Sequence, residues 1–443
     1  MAMHSTSTAT TLVAALIALG CAPAAARAQH EGHGAMAADS TRLARADAWH
    51  LMAQAIPVVT HAANTAEGAD LTEGYLSQAA VMGRGELLSG HLRLDATLNA
   101  EGLTMKRGEL STGAFGEGYV DRRHPHTYLH EVVVSGLGSI GPLGYSLTAG
   151  RGFAAFGTDD PMMRPFEKYP INHHLSQILE RPMLTGAVRL GPAIVDASTF
   201  GGDEPTSPSG TPLLRRLGDS WSVRATALPM TGVEVQGSYA RVASPEQREG
   251  FGLDQRKRNA SVRLISADGA RYLLAEWART VERDHGRNED VFAYESALAE
   301  GALTVRGVSL ALRLEQTERA EEGRSSDPFR VPRPAPDLGI SGITRWRTAT
   351  AALMLPSPIP GPIRGYAFVE VEITRPHETD ALSVFDAESF YRTRTPWMLT
   401  AGMRLRLGPT HARMGRYGVA VPEGSAIRAL GIADDDSSSH PSH

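Results

Sequence analysis

Residues 87–99, LLSGHLRLDATLN, decide the fold class because their side chains alternate in character from one residue to the next. One set is small or apolar and consists of Leu88, Gly90, Leu92, Leu94, Ala96 and Leu98. The other set is polar and consists of Ser89, His91, Arg93, Asp95, Thr97 and Asn99. Successive side chains of a β-strand point to opposite faces, so the pattern predicts a strand with one apolar and one polar face.

The same alternation recurs along the chain and predicts an all-β protein of about 14 strands, within a range of roughly 12 to 16. The predicted strands cover residues 86–98, 126–137, 142–153, 183–190, 193–201, 220–228, 232–242, 258–265, 270–281, 290–299, 302–316, 343–355, 363–375 and 395–407. The connections between them alternate between long and short. This regular alternation predicts an up-and-down antiparallel meander with its long loops at one end and its tight turns at the other. Open twisted sheets rarely exceed about ten strands, so a sheet of this size is expected to close.

This arrangement resembles that of bacterial outer-membrane porin-like β-barrels over residues 86–407. The resemblance implies a transmembrane β-barrel in the bacterial outer membrane, in contact with membrane lipid and passing small solutes. No short motif in the sequence identifies a named porin family. A large soluble β-protein, such as a sandwich or a propeller, is the alternative. The sequence shows no repeat of fixed period, and this argues against a propeller.

The N-terminus predicts export through a cleaved signal peptide covering residues 1–28. Residues 11–22 are apolar, and the small residues Ala26 and Ala28 are typical of a cleavage site. Cleavage there removes Cys21, the only cysteine, so the exported protein is expected to contain no disulfide bond.

Three further segments are predicted from the sequence. Residues 29–84 are expected to form a periplasmic or plug-like helical segment, with helices at 41–55 and 72–82. Residues 85–420 are expected to form the barrel, and the Ser-, His- and Asp-rich residues 421–443 a disordered tail. The net charge of −5 does not favour a nucleic-acid partner. The oligomeric state stays open.

The loop at residues 154–182 is the richest in charge and is expected to fold into the barrel and constrict the pore. Opposed positive and negative side chains set up a field across a pore and select what passes. The predicted constriction consists of Arg122, Arg123, Asp159, Asp160, Arg164, Glu180 and Arg181.

A metal site is the second interpretation of the same region. His124, His126 and His130 have the same parity on a predicted strand, and the loop adds His173 and His174, with Asp159 and Asp160 as carboxylate ligands. Imidazole and carboxylate together suit zinc, copper, nickel or iron, and this would make a divalent metal the protein's cofactor or cargo. The porin-like interpretation requires no cofactor.

A hydrolase is the third interpretation. His174-x-Ser176 is similar to the His-x-Ser pair of outer-membrane phospholipase, a barrel enzyme. In a helix, however, residues two positions apart do not face each other, and no Ser-Asn-Gly follows. The sequence therefore favours a non-enzymatic protein.

Overall fold

The computed structural model describes residues 48–65, 68–105, 109–111, 122–123, 126–158, 161–205, 207–322, 340–357, 359, 362–379, 385–408, 413–422, 427 and 430. The predicted signal peptide lies outside the described residues. No helix in the described ranges is long and apolar enough to cross a membrane.

Sixteen antiparallel strands form one closed barrel in which each strand pairs with its neighbours in sequence and the last pairs with the first. The strands are β1 Ala48–Ala63, β2 Leu71–Leu87, β3 Leu92–Asn99, β4 Leu129–Ile140, β5 Leu143–Gly152, β6 Arg181–Leu190, β7 Ala193–Phe200, β8 Ser220–Met230, β9 Val233–Val242, β10 Asp254–Ile265, β11 Arg271–Asp284, β12 Glu289–Val305, β13 Val308–Glu322, β14 Ile340–Pro356, β15 Ile363–Glu378 and β16 Trp397–Leu407. The closed antiparallel barrel is confirmed, and the strand number is 16 rather than about 14.

The two additional strands come from the N-terminal segment, so the prediction of helices at 41–55 and 72–82 is wrong where residues are described. Inward side chains of β1 include Met52, Ile56 and Val58, and its outward side chains are apolar as well. Gln54 and Thr60 are the buried polar side chains of its inward face, and they are too few to give the alternation that marks the other strands. Pro57 lies where the pairing of β1 with β16 is interrupted. The N–H group that proline lacks therefore removes no backbone hydrogen bond between these two strands.

The connections segregate to the two ends of the barrel as predicted. The turn end, where the chain enters β1 and leaves β16, carries the connections 88–91, 141–142, 191–192, 231–232, 266–270, 306–307 and 357–362. The loop end carries 64–70, 100–128, 153–180, 201–219, 243–253, 285–288, 323–339 and 379–396. The described residues of these loops include three short α-helices, which are α1 Glu101–Thr104, α2 His173–Ser176 and α3 Ala387–Tyr391.

The barrel has its polar face inside and its apolar face outside. On β8, Ser222, Arg224 and Thr226 are buried in the lumen, whereas Trp221 and Ala225 are exposed on the outer surface. Large exposed apolar side chains recur on the outer face of the other strands, among them Leu147, Leu184, Val188, Val195, Val235, Leu310, Leu312, Leu314, Val369 and Ile373. Soluble proteins rarely expose a continuous apolar surface of this extent.

After β16 the chain turns back into the barrel instead of leaving it. In residues 413–422, here called the C-terminal segment, Met414 and Tyr417 are buried. Ile427 and Leu430 are only 1% and 2% exposed and belong to the same apolar cluster as inward residues of β1 and β15. The prediction of a disordered tail from residue 421 is therefore wrong at these two positions. Residues 431–443 lie outside the described residues.

Closure by β1 can be tested with a cysteine pair across the β1–β16 seam. Val59 and Ala401 are directly opposite each other on the outer face. Opposite residues of antiparallel strands have Cα atoms about 4.5–5.5 Å apart, within the span of a disulfide. In a Cys21→Ser background, Val59→Cys with Ala401→Cys is expected to form a reducible crosslink, seen as a shifted band on a non-reducing gel.

The matched control joins Val59→Cys to Leu147→Cys on the outer face of β5, which is not a neighbour of β1. This pair is expected to stay reduced under the same oxidation. Absence of a crosslink in folded Val59→Cys/Ala401→Cys protein would contradict the closure.

Candidate functional site

In the loop that joins β5 to β6, the described residues 153–158 and 161–180 lie inside the barrel. Its buried apolar side chains are Phe153, Ala154, Ala155, Phe156, Met162, Met163, Phe166, Tyr169, Ile171, Leu175 and Ile178. The wall residues that meet this loop come from strands on all sides of the barrel, which places it across the lumen rather than over the rim. We call residues 153–180 the lumen loop.

The first part of the lumen loop is attached to β7, β8 and β9. The N–H of Ala155 donates to Ser198 Oγ at 2.8 Å, and the N–H of Gly157 donates to Ser238 Oγ at 3.0 Å. Arg224 donates to the Gly157 carbonyl at 3.2 Å. The backbone groups of this turn are therefore satisfied by wall side chains, as buried peptide groups require.

The middle of the lumen loop is attached to β11 and β12 by charged side chains. Arg164 lies 3.5 Å from a Glu276 carboxylate oxygen and 3.9 Å from one of Glu300. Asn172 donates to Glu276 at 2.9 Å, and Thr158 also donates to Glu276. Burying a guanidinium is costly unless a carboxylate and hydrogen bonds compensate, and these contacts supply both.

Lys168 connects the lumen loop to the opposite wall. Its ammonium donates to Tyr75 Oη at 2.7 Å and to Glu109 at 3.0 Å, and it lies 3.3 Å from Glu167. Burial and the neighbouring Glu109 carboxylate raise the pKa of Glu167 well above its ordinary value. The single positive charge of Lys168 thus faces the two carboxyl groups of Glu109 and Glu167. This imbalance favours retention of a proton on one of the two carboxyl groups.

Glu370 on β15 supports the same stretch through the backbone. Its carboxylate accepts from the N–H of Glu167 at 3.0 Å and from the N–H of Lys168 at 3.1 Å. From the adjacent strand, Arg404 donates to the Phe166 carbonyl at 2.8 Å. The tip of the loop is therefore held in place by its main chain as well as by its charges.

The residues predicted to form the constriction are only partly brought together. Arg164 meets carboxylates of the wall, whereas Arg181 pairs with Glu204 at 3.3 Å near the mouth. Glu180 accepts from His130 Nδ1 at 2.8 Å and from the Thr127 N–H at 2.9 Å. Burial would raise the pKa of Glu180, but its hydrogen bond and charge interaction with His130 outweigh burial and lower it to about 2.

Other predicted constriction residues have no described side chain. The backbone of Arg122 and Arg123 pairs with Glu109 and Leu110 in a small two-stranded sheet. Asp159 and Asp160 lie outside the described residues.

The histidines form a buried aromatic group around Tyr169. The rings of His126 and His130 are 4.7 Å apart, and His126 Nδ1 lies 3.2 Å from Glu101. The His173 ring is 5.6 Å from the Tyr169 ring and 4.1 Å from that of His174. Within the described ranges, no three or more His, Cys, Asp or Glu side chains are placed to hold a metal ion. His124 lies outside the described residues, and metal binding stays a prediction.

The His174-x-Ser176 pair does not form a nucleophile–base contact. Ser176 Oγ donates to the Asn172 carbonyl at 3.1 Å, within the turn of α2. His174 Nδ1 instead lies 3.4 Å from Glu204. A serine nucleophile needs its hydroxyl within hydrogen-bond reach of the base, and this geometry directs the two side chains to different partners.

The C-terminal segment is a part of the lumen that the sequence analysis missed. Arg416 donates to Glu234 and to Thr226, both at 2.8 Å, and Arg224 donates to the Gly415 carbonyl at 2.8 Å. Tyr417 Oη donates to Glu131 on β4 at 2.7 Å. The sequence of this segment shows no long apolar run, so only its inward contacts reveal its position.

Two cavities border these inserted segments, and each measures about 20 Å³. One is lined by His174, Arg181, Glu204 and Lys257 near the loop end, and the other by Met82, Asp95, Glu131 and Arg416. A volume of this size holds about one water molecule. The lumen beside the inserted segments is therefore narrow at both places.

No family model matches the chain, and no curated protein matches it significantly. Among solved structures, an anion-selective porin from Comamonas acidovorans has 11% identity and a TM-score of 0.48, covering 82% of this chain and 100% of that chain. The chain resembles outer-membrane porins in its architecture.

Two further solved structures are similar to the chain to about the same degree. OmpT, an outer-membrane protein of Vibrio cholerae, has 8% identity and a TM-score of 0.47, covering 82% of this chain and 100% of that chain. The outer-membrane channel DcaP of Acinetobacter baumannii has 8% identity and a TM-score of 0.46, covering 82% and 97%. At these identities the similarity concerns the barrel architecture alone.

Gly157 tests whether the two ends of the lumen loop pack as described. Its φ is +70°, and an added Cβ would lie 1.7 Å from the Ser176 carbonyl oxygen. Gly157→Ala is therefore expected to destabilise the folded barrel by about 1–3 kcal/mol, measured by denaturant unfolding in detergent. Gly186→Ala, where an added Cβ meets open space, is the control and is expected to cause no loss. Equal stability of the two variants would contradict the packing.

Proposed function

We propose that this protein is an outer-membrane barrel that passes small solutes through a lumen narrowed by the lumen loop. The observation that carries the proposal is the position of a charged loop across a polar lumen, held by wall carboxylates from β11, β12 and β15. Opposed charges on a loop and a pore wall select permeants by their charge and size.

The outer surface supports a membrane location. Its exposed apolar side chains form a band around the barrel, and the polar face is turned inward. This arrangement matches the lipid-facing and lumen-facing sides of a transmembrane β-barrel. The segregation of short turns and long loops to opposite ends supports the same orientation, with the turn end in the periplasm.

Passage through this lumen is expected to be restricted rather than wide. Two inserted segments, the lumen loop and the C-terminal segment, occupy space that a wide pore would leave to water. The 20 Å³ cavities beside them hold single waters rather than solutes. We therefore expect small conductance steps and selectivity by charge, with larger steps when the loop is released from the wall.

The lipid-facing band can be tested on β13. Leu312 is 52% exposed in the middle of its apolar stretch, and Val308 lies on the same face at the turn end of the strand. Leu312→Arg is expected to destabilise the inserted barrel by about 2–4 kcal/mol, and Val308→Arg by about 0–1 kcal/mol, because the cost of a charge depends on membrane depth. Reversible unfolding from lipid vesicles measures both. Equal small losses would contradict the membrane location.

The loop constriction can be tested by single-channel recording in planar bilayers. Glu370→Ala removes the acceptor of two backbone N–H groups of the lumen loop, so larger conductance steps than those of the wild type are expected. Glu86→Ala is the control, because Glu86 is a carboxylate near the turn end of β2 that pairs with Arg93 on β3 at 3.0 Å and lines neither narrow cavity. Its steps are expected to match those of the wild type.

Two outcomes would contradict the proposal at different levels. Folded protein without channel activity, in wild type and in Glu370→Ala alike, would rule out the pore. Channel activity with equal steps in wild type, Glu370→Ala and Glu86→Ala would preserve the pore and rule out the loop as its constriction.

A further inference from the structure

The last barrel strand carries two arginines that face the lumen next to each other. Arg404 and Arg406 are only 3% and 6% exposed, whereas the intervening Leu405 and the following Leu407 lie on the outer face. Residues two positions apart on a strand lie on one face about 6.6 Å apart. The two guanidinium groups therefore occupy one patch of the lumen wall between Phe166 of the lumen loop and the turn end.

Arg406 has no hydrogen-bond partner within the described part of the chain. Its Nε, Nη1 and Nη2 are all buried and have no acceptor, and Nη1 of Arg404 has none either. Among the described residues, the side-chain hydrogen bond of this pair runs from Arg404 Nη2 to the Phe166 carbonyl. Four buried guanidinium nitrogens of two adjacent cations are thus left without an acceptor among the described residues.

Other buried arginines of the lumen are paired with carboxylates. Arg313 lies 2.8 Å from Glu300, Arg224 lies 2.6 Å from Asp196, and Arg416 lies 2.8 Å from Glu234. Arg404 and Arg406 form no ion pair within the described ranges, unlike these three arginines.

The neighbouring strands offer no counter-charge to Arg406. Its cross-strand partners are Gln54 on β1 and Arg364 on β15, and Tyr366 is opposite Arg404. None of these side chains carries a negative charge at neutral pH, and Arg364 adds a further positive charge at the turn end. Arg404 interacts with the carboxylates of Glu370 and Glu167, whereas the charge that acts on Arg406 is that of Arg404.

An arginine in a protein is always protonated, so its burial without a counter-ion is strongly unfavourable. We propose that Arg404 and Arg406 form a binding site for a small oxyanion, a carboxylate or phosphate group, inside the barrel. The planar fork of a guanidinium matches two oxygens of such a group, and two adjacent forks supply the unused donors.

The inference deepens the proposed function and rests on it only in part. An oxyanion bound at this point would lie on the path between the lumen loop and the turn end, where it would favour anionic solutes. Ile427 and Leu430 belong to the same apolar cluster as Ile56 and Phe368 beside this patch. Binding itself is measured without permeation.

Calorimetric titration of the purified, full-length protein in detergent tests the site, with inorganic phosphate in one arm and acetate in the other. The wild type is expected to bind one anion per chain saturably, and Arg406→Gln is expected to bind at least tenfold more weakly. Arg347→Gln is the matched control, because it removes the same charge from an exposed arginine on the outer face of β14. Its affinity is expected to equal that of the wild type.

Two further variants keep the test decisive if Arg406→Gln does not fold. Arg406→Lys retains the charge without the planar fork, so weaker but measurable binding is expected. Arg406→Met removes an unpaired buried charge, so in anion-poor buffer its unfolding midpoint is expected to exceed that of the wild type. Phosphate is then expected to raise the midpoint of the wild type and leave that of Arg406→Met unchanged.

The proposal is overturned if the wild type shows no saturable binding of either anion, or if Arg406→Gln or Arg406→Met responds to phosphate as the wild type does. These results are independent of conductance, so a protein that binds phosphate without forming pores would overturn the proposed function and preserve the site.

Discussion

The pairing of buried charges inside a closed sheet is the constraint on which the rest of this structure depends. Closure turns the polar face of sixteen strands towards one narrow space. A carboxylate there needs a donor, and a guanidinium needs an acceptor, because little water is available to either. Glu276 obtains partners from the lumen loop, and Glu234 obtains its partners from the C-terminal segment. Glu300 lies between Arg313 of the wall and Arg164 of the lumen loop. The wall and the inserted segments therefore stabilise each other.

Tyr417 joins the two inserted segments. Its hydroxyl donates to Glu131 on the wall and accepts from the N–H of Phe153, the first residue of the lumen loop, at 3.0 Å. The C-terminal segment thus supports the loop at its origin, while Glu370 and Arg404 support it at its tip. The proposed passage for solutes depends on both segments, and the anion site proposed at Arg404 and Arg406 lies beside the tip.

The sequence predicts the fold well where one face of a strand differs from the other. Residues 92–99 and β8 have that difference, and both are strands as predicted. Residues 88–91, however, form the turn before β3, and β3 is the third strand of the meander rather than the first. The first two strands have apolar residues on both faces, so a local pattern does not separate them from helices. Their strand character depends on pairing, because β1 gains its hydrogen bonds from β16, more than 300 residues away in sequence.

The candidate site was likewise predictable from the sequence only in part. The charge and length of residues 154–182 were enough to predict a loop folded into the barrel, since a long loop with many apolar residues has to bury them. The partner of each side chain was not predictable: Glu180 meets His130, and Lys168 meets Tyr75. By itself, the sequence determined an antiparallel barrel with a polar interior, because alternation is a local property of the strand. Only the tertiary structure decided the closure by β1, the return of the chain after β16 and the isolation of Arg406, because each depends on which distant strands become neighbours.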